Sequence, residues 1–256
     1  WEPQSSVWMQ WPKNWEGSYR PEFNDIIDLL QDYEPIDIIV HSASAETQAR
    51  NYLLSHGTPL DNISWHILPY ENAWLRDNGP VWLTVDGELT AQDWEFDGWG
   101  GLVNDFDDDN AIPCQIADII GAPCENRDLI VERGNLEFNG AGTLISSWTC
   151  QSLRNPGVSQ AAMEILFEQA FGVTQIVWLV GAPAGDVTGG HVDGIARFID
   201  EDTVAVNRYV DQGDPDAALY EDAALRIAAA GFEVLRIDMP GSVWYRNSDM
   251  SIGYLN

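Results

Sequence analysis

Basic residues, cysteine and histidine are all scarce in this chain, and each scarcity removes a class of function. Twelve lysines and arginines stand against 41 aspartates and glutamates, a formal net charge of −29 over 256 residues. Such a surface repels the phosphates of nucleic acids and anionic lipid headgroups, so no nucleic-acid or membrane partner is expected. A small cationic substrate is drawn in. Lys13 is the single lysine, a skew that suits a carboxylate surface kept hydrated in high salt. The three cysteines, Cys114, Cys124 and Cys150, are odd in number and lack CxxC spacing. Neither a disulfide framework nor a zinc site is expected from them, and a reducing, cytoplasmic setting is the default. No apolar run approaches the ~20 residues of a membrane span, and no basic-then-apolar leader opens the chain. The chain starts on Trp1 and stops in the strand-like "SIGYLN", so both ends read as cut.

What is present alternates between helix and strand. "RPEFNDIIDLLQDY" carries Phe23, Ile26, Ile27, Leu29 and Leu30 at helical spacing, and "IDIIVHS" follows as a short buried strand. "SAETQARNYLLSHG" reads as a second helix with Ser44 as N-cap and Gly57 as its stop, and "ISWHILPY" as a strand. Asp86-Gly87 marks a hairpin in "GPVWLTVDGELTAQDWEF", and Asn139-Gly140 marks a second in "LIVERGNLEFNGAGTLISS". Beyond them come the helix "VSQAAMEILFEQAFGV", the strand "TQIVWLV", two strands around "DEDT", the helix "PDAALYEDAALRIAAAGF" and the strand "EVLRID". Hairpins mixed with crossover helices exclude a purely parallel doubly wound sheet. No Pro/Gly/Ser-rich linker interrupts the pattern, so a single α/β domain over 1–256 is expected.

Few positions carry chemistry. "ENAWLRDNGP" sets Trp74, Arg76 and Asp77 before a Gly-Pro turn; an Arg–Asp pair pinning that turn is the more ordinary reading, a binding site the less ordinary one. "DWEFDGWGG", with Trp99, is either core packing or an aromatic wall beside closely approaching backbone. Glu132 closes the strand-like "IVE", where a glutamate is ordinarily exposed. In "GGHVDGIARF", His191 and Asp193 lie two apart, and on a strand they would share a face, as acid/base and cation-binding carboxylate or as two metal ligands. The non-haem iron form of the metal reading needs a second histidine downstream, and His191 is the last. No metal is therefore expected. His41, His56 and His66 are assigned structural roles, and "DFDDDN" at 105 to 110 reads as a solvated loop.

Taken together and in order, "WPKNW", "ENAWLRDNGP", "DWEFDGWGG", "VERGNLEFNGAGT", "LRNPGVS", "IVWLVG" and "DVTGGHVDGIARF" resemble the agmatine deiminase and bacterial-type peptidylarginine deiminase family, from Trp11 to the end of the chain. The resemblance implies the pentein fold, a five-fold pseudosymmetric α/β propeller, here lacking its last blade. It implies hydrolysis of a guanidinium to a ureido group and ammonia without cofactor, through attack by a cysteine. It implies that Asp77 and Asp193 hold the guanidinium, carboxylates being suited to its paired N–H groups. His191 is then the general acid/base, Glu132 a further catalytic residue, and Trp74 and Trp99 substrate contacts.

Departures from the family pattern set further expectations. The family's nucleophile lies near the C-terminus in a Gly-rich segment, and none of the three cysteines matches it; Cys150 falls where relatives have a non-catalytic cysteine. Arg133 replaces the first glycine of an E-G-G motif, and Gly189 replaces an aspartate. The favoured reaction is agmatine to N-carbamoylputrescine, a step in polyamine metabolism, with free or peptidyl arginine as other substrates. The alternative is a pentein that binds a guanidinium or polyamine without turnover. Assembly as a homo-oligomer stays open.

Overall fold

A computed structural model describes residues 4–211 and 213–239, together with the backbone of 242–245 and 248–251. Residues 252–256, where the chain was expected to break off in a strand, lie outside the described part. The chain divides into two compact units, residues 1–98 with 103–128, and residues 99–102 with 129–256. None of the described helices is long and apolar enough to cross a membrane.

The first unit opens with β1 (Val7–Gln10), α1 (Arg20–Leu30), β2 (Ile36–Val40), α2 (Ala43–Ser55) and β3 (Ile63–Ile67), the three strands forming a parallel sheet in that order. The central strand β2 buries Ile36, Ile38, Ile39 and Val40 completely, which is why "IDIIV" lacks the alternation of a strand with one wet face. The N-cap of α2 is Ser42, not the expected Ser44: Ser42 has the extended backbone a cap requires, and its hydroxyl accepts from the Ala45 N–H at 3.2 Å. A helical turn, Leu75–Asn78, then leads into β4 (Val81–Val85) and β5 (Glu88–Glu95). These form the expected hairpin, with Asp86 and Gly87 both at positive φ as its two-residue turn requires.

The sequence reading had no element where α3 (Ile112–Ile120) stands between this hairpin and β6 (Cys124–Ile130), the third strand of the β4-β5-β6 sheet. Left-handed Gly121 ends α3 and returns the chain at once, so Cys114 and Cys124 meet with Cα atoms 5.5 Å apart and form a disulfide. This corrects the expectation of no disulfide. The pairing is made by the tightness of the turn, which CxxC spacing does not register.

"DFDDDN" also departs from its reading as a solvated loop. Residues 107–110 form a helical turn, and Asp109 is fully buried. Its carboxylate accepts from the Glu71 N–H at 2.8 Å, the Asn72 N–H at 3.2 Å and Asn72 Nδ2 at 2.7 Å. Three donors fix the segment that leads into Leu75–Asn78. Ile112 and Ile116 of α3 meanwhile pack with Tyr70 and Leu75 in one buried cluster.

The second unit contains β7 (Glu137–Phe138), β8 (Thr143–Ser147), α4 (Trp148–Arg154), α5 (Gln160–Phe171) and β9 (Gln175–Leu179). β8 runs antiparallel to β7 and parallel to β9. The same arrangement recurs in β10 (Ala196–Phe198), β11 (Thr203–Arg208), α6 (Ala217–Ala229) and β12 (Glu233–Asp238), followed by the hairpin of β13 (Ser242–Tyr245) and β14 (Ser248–Ser251). Hairpin, helix and parallel strand thus recur, in a mixed α/β fold of small separate sheets. Ile145, Val177, Leu179, Val204 and Val206 from two sheets form a core with Tyr220 and Ile227 of α6 and with Val192 and Ile195. Those last two residues flank Asp193, so the core holds the His191 segment in place.

Replacing Asp109 by alanine is expected to lower unfolding free energy by about 3 kcal/mol, because it strands buried donors on Glu71 and Asn72. Urea denaturation measures this. A loss below about 0.5 kcal/mol, the size of an ordinary surface substitution, would show that the 71–72 segment is held by something else.

Candidate active site

The second unit gathers its chemistry around Glu132. β6 ends at Ile130, and Glu132 precedes a helical turn at Arg133–Asn135. Far from being exposed as a strand-end glutamate ordinarily is, it is fully buried. Arg154, at the end of α4, donates from Nε to Oε1 at 2.5 Å and from Nη2 to Oε2 at 3.2 Å. The Nε2–H of His191 donates to Oε2 through a short hydrogen bond. Burial pushes the Glu132 carboxyl up, but the hydrogen bonds and charges of His191 and Arg154 outweigh it, and the net shift is downward. The site therefore holds a carboxylate at neutral pH.

Arg154 and His191 are tied to each other by more than the shared carboxylate. Arg154 Nη2 donates to the Thr188 carbonyl at 2.8 Å, and the Thr188 hydroxyl accepts from the His191 N–H at 3.1 Å. Gly190 donates its N–H to Asp186 at 2.6 Å, and its Cβ, if it had one, would lie 2.3 Å from the Gly181 carbonyl oxygen. Only glycine fits this approach at positive φ. Arg154 is also covered by the 99–102 segment. There Trp99 has φ 58° and ψ 51°, and a Cβ on Gly100 would come within 2.8 Å of Arg154 Nη1.

His191 and Asp193 share an environment, although not for the reason expected. They do not lie on a strand: His191 caps a short helical turn, Val192–Gly194, and β10 begins only at Ala196. The positive φ of Gly189 and Gly190 breaks any strand before His191. A ring nitrogen of His191 and a carboxylate oxygen of Asp193 still lie within 4.8 Å of each other, and both residues are buried. Cys150, in the first turn of α4, is 1% exposed, with Sγ 3.6 Å from Glu132 Oε2. Burial pushes its thiol pKa up, against the influence of His191 and Arg154, and the Glu132 charge adds to the rise. It is a neutral thiol at neutral pH and a poor nucleophile.

Glu132, Cys150 and His191 offer ligand atoms within 4.8 Å of one another, a spacing that a metal ion would accept. Both Glu132 oxygens, however, already accept from Arg154 and His191. In the first unit, Asp77 is buried in the Leu75–Asn78 turn, its N–H donating to the Trp74 carbonyl at 2.9 Å. Trp74 is 44% exposed and meets Tyr19 edge-on at 5.6 Å. Of the remaining histidines, His66 bonds Asp37 at 2.7 Å and stacks on Trp8, His56 stacks on Tyr52, and His41 meets Tyr70 edge-on. Sequence reasoning passed over Arg154. Nothing in "LRNPGVS" sets its arginine apart from a surface charge, and only the fold reveals which carboxylate it meets.

Replacing Glu132 by alanine leaves the Arg154 charge buried at 8% exposure, and a loss of about 3–5 kcal/mol is expected in urea denaturation. Removing Arg154 as well should cost less than the two single losses combined. Additive losses would mean that the pair is not coupled. Since the Glu132 pKa is depressed in the folded state, its stabilisation is present at neutral pH. It is lost as pH falls through and below the ordinary carboxylate range.

A family model described as Porphyromonas-type peptidyl-arginine deiminase matches residues 1–256. An agmatine deiminase of Ectopseudomonas mendocina is 30% identical over 241 residues, 89% of this chain and 64% of its own length. A relative from Yersinia pseudotuberculosis is 31% identical over 246 residues, 92% of this chain and again 64% of its own. The chain thus spans just under two thirds of these relatives. Among solved structures, an agmatine deiminase from C. jejuni, carrying a cysteine-to-serine substitution and with substrate bound, matches all of this chain and 77% of its own, with a TM-score of 0.90 at 22% identity. An agmatine deiminase of Enterococcus faecalis matches 98% of this chain and 73% of its own, with a TM-score of 0.85 at 27% identity. This chain belongs to the Porphyromonas-type peptidyl-arginine deiminase family.

Proposed function

We propose that the protein hydrolyses a guanidinium group to a ureido group and ammonia, with agmatine to N-carbamoylputrescine as the favoured reaction. The observation that carries this reading is the buried Glu132–His191 hydrogen bond, with Asp193 close to the same imidazole. A histidine oriented by a carboxylate is equipped to move protons, and a second carboxylate beside it suits a cation. Asp193 and Asp77 take the roles of guanidinium-binding carboxylates, each able to accept from paired N–H groups. Trp74 and Trp99 supply apolar contact for the alkyl part of the substrate.

In the reaction a cysteine thiolate forms a bond to the guanidinium carbon. His191 delivers a proton to the departing nitrogen, the carbon–nitrogen bond breaks, and ammonia leaves an amidino-thioether. His191 then takes a proton from water as its oxygen attacks the same carbon. The carbon–sulfur bond breaks, the thiolate is regenerated and the ureido product departs. Cys150 does not fit the nucleophile's role, since burial keeps its thiol protonated. The reading therefore requires another thiol. The repeated hairpin, helix and strand are read as blades of a single five-fold pentein domain.

Expressed with the coding sequence that flanks these 256 residues, the protein is expected to release ammonia from agmatine. His191→Ala and Asp193→Asn should each lower kcat/KM about a thousandfold. No ammonia from agmatine, arginine or peptidyl-arginine would sink the proposal. Calorimetric binding of agmatine without turnover would favour a guanidinium-binding protein instead.

A further inference from the structure

In the first unit a carboxylate meets a disulfide. An oxygen of Asp93 and the Sγ atoms of Cys114 and Cys124 lie within 4.8 Å of one another. Asp93 is on β5, Cys114 in the first turn of α3, and Cys124 opens β6. All three residues are only partly buried, so small thiols and disulfides reach them, whereas Cys150 is sealed off.

Burial pushes the Asp93 carboxyl up to about 6, and the charge of Glu95 on the same strand adds to the rise. Its acid and carboxylate forms therefore coexist near neutral pH. No cation figures among the influences on it. Of the neighbouring elements, β4 has no titratable residue, β6 carries Glu125 and Arg127 ion-paired to each other at 2.6 Å, with Asp128 beyond, and α3 carries exposed Asp118. The groups closest to Asp93 that exchange protons are the sulfurs themselves.

We propose that Cys114, Cys124 and Asp93 form a thiol–disulfide exchange site, in which Asp93 carries the proton that the sulfurs give up or take on. In reduction, the thiolate of an external dithiol attacks one of the two sulfurs. The Cys114–Cys124 bond breaks as a mixed disulfide forms, and the departing sulfur takes its proton from the Asp93 carboxylic acid. The reagent's second thiolate then displaces the remaining cysteine, which is protonated from solvent, and the reagent leaves as a disulfide with two electrons transferred to the protein. In oxidation by glutathione disulfide, Asp93 carboxylate accepts the proton of the attacking cysteine, whose sulfur forms a mixed disulfide as one glutathione thiolate leaves. The second cysteine then closes the Cys114–Cys124 bond and expels the other glutathione, so that two electrons pass to the reagent. The bond that opens and closes ties α3 to β6, and the inner face of α3 supports Leu75 at the start of the Asp77 turn.

The test follows reduction of the glutathione-disulfide-oxidised chain by dithiothreitol, with maleimide quenching and mass spectrometry. Two added labels are expected on reduction, with Cys150 unlabelled in the native protein. Corrected for reagent thiolate, Asp93→Asn should reduce about tenfold more slowly than wild type near pH 5, roughly equally near pH 8, and Asp93→Glu should recover most of the acid rate. Labelling of all three cysteines in the oxidised, unfolded chain would overturn the site. So would equal rates for wild type and Asp93→Asn at both pH values. A variant whose Cys150 labels has lost its fold, and the wild-type profile then decides. Its thiolate-corrected rate falls above about pH 6 if Asp93 donates the proton and stays flat if it does not.

Discussion

A carboxylate withdrawn wholly from water governs the second unit. Desolvating Glu132 costs several kcal/mol, and the cost is offset only when both oxygens are met by donors of good geometry. Arg154 and His191 meet that demand from 22 and 59 residues away in sequence. The end of α4, the loop through Thr188 and the turn holding Asp193 are thereby brought to one point. The same contact sets the histidine tautomer. With the Nε2 proton directed at Glu132, Nδ1 is the atom through which the proposed reaction would pass protons.

The first unit uses the same device without a charged partner. Asp109 is fully buried, and its three donors are two backbone N–H groups and an amide. Burial pushes its carboxyl up in spite of these bonds, so its grip on 71–72 is strongest once it is ionised. At Glu132 the hydrogen bonds and charges of His191 and Arg154 reverse that direction and hold the carboxylate ionised. The two differ in what they hold: Asp109 fixes backbone N–H groups and an amide, whereas Glu132 fixes the side chains of Arg154 and His191.

The alternation of elements was readable in the sequence because period and turn chemistry are local. Asp86-Gly87 forces its hairpin whatever lies around it, and β2 is too apolar to face water. Glu132 and Asp109 were misjudged singly, because a carboxylate's burial depends on donors supplied by distant segments. The His191–Asp193 pairing was right in outcome and wrong in mechanism. Their proximity comes from a helical turn after two left-handed glycines, not from the pleat of a strand. The disulfide escaped notice because odd cysteine counts and CxxC spacing say nothing of a helix that ends on Gly121 and doubles back.

Cys150 shows why nearness to a histidine does not make a nucleophile. Its sulfur lies beside His191 and Arg154, two groups that favour a thiolate, and it sits in the first turn of a helix. Against them stand its burial and the Glu132 charge, which the sulfur faces at 3.6 Å. Ionising Cys150 would put two buried anions side by side, and would convert the thiol from a donor toward Glu132 into a competitor for the same cations. The arrangement that holds Glu132 charged is therefore the one that holds Cys150 neutral. A deiminase built on this site must draw its thiolate from a position where the cationic partners of Glu132 are not already committed.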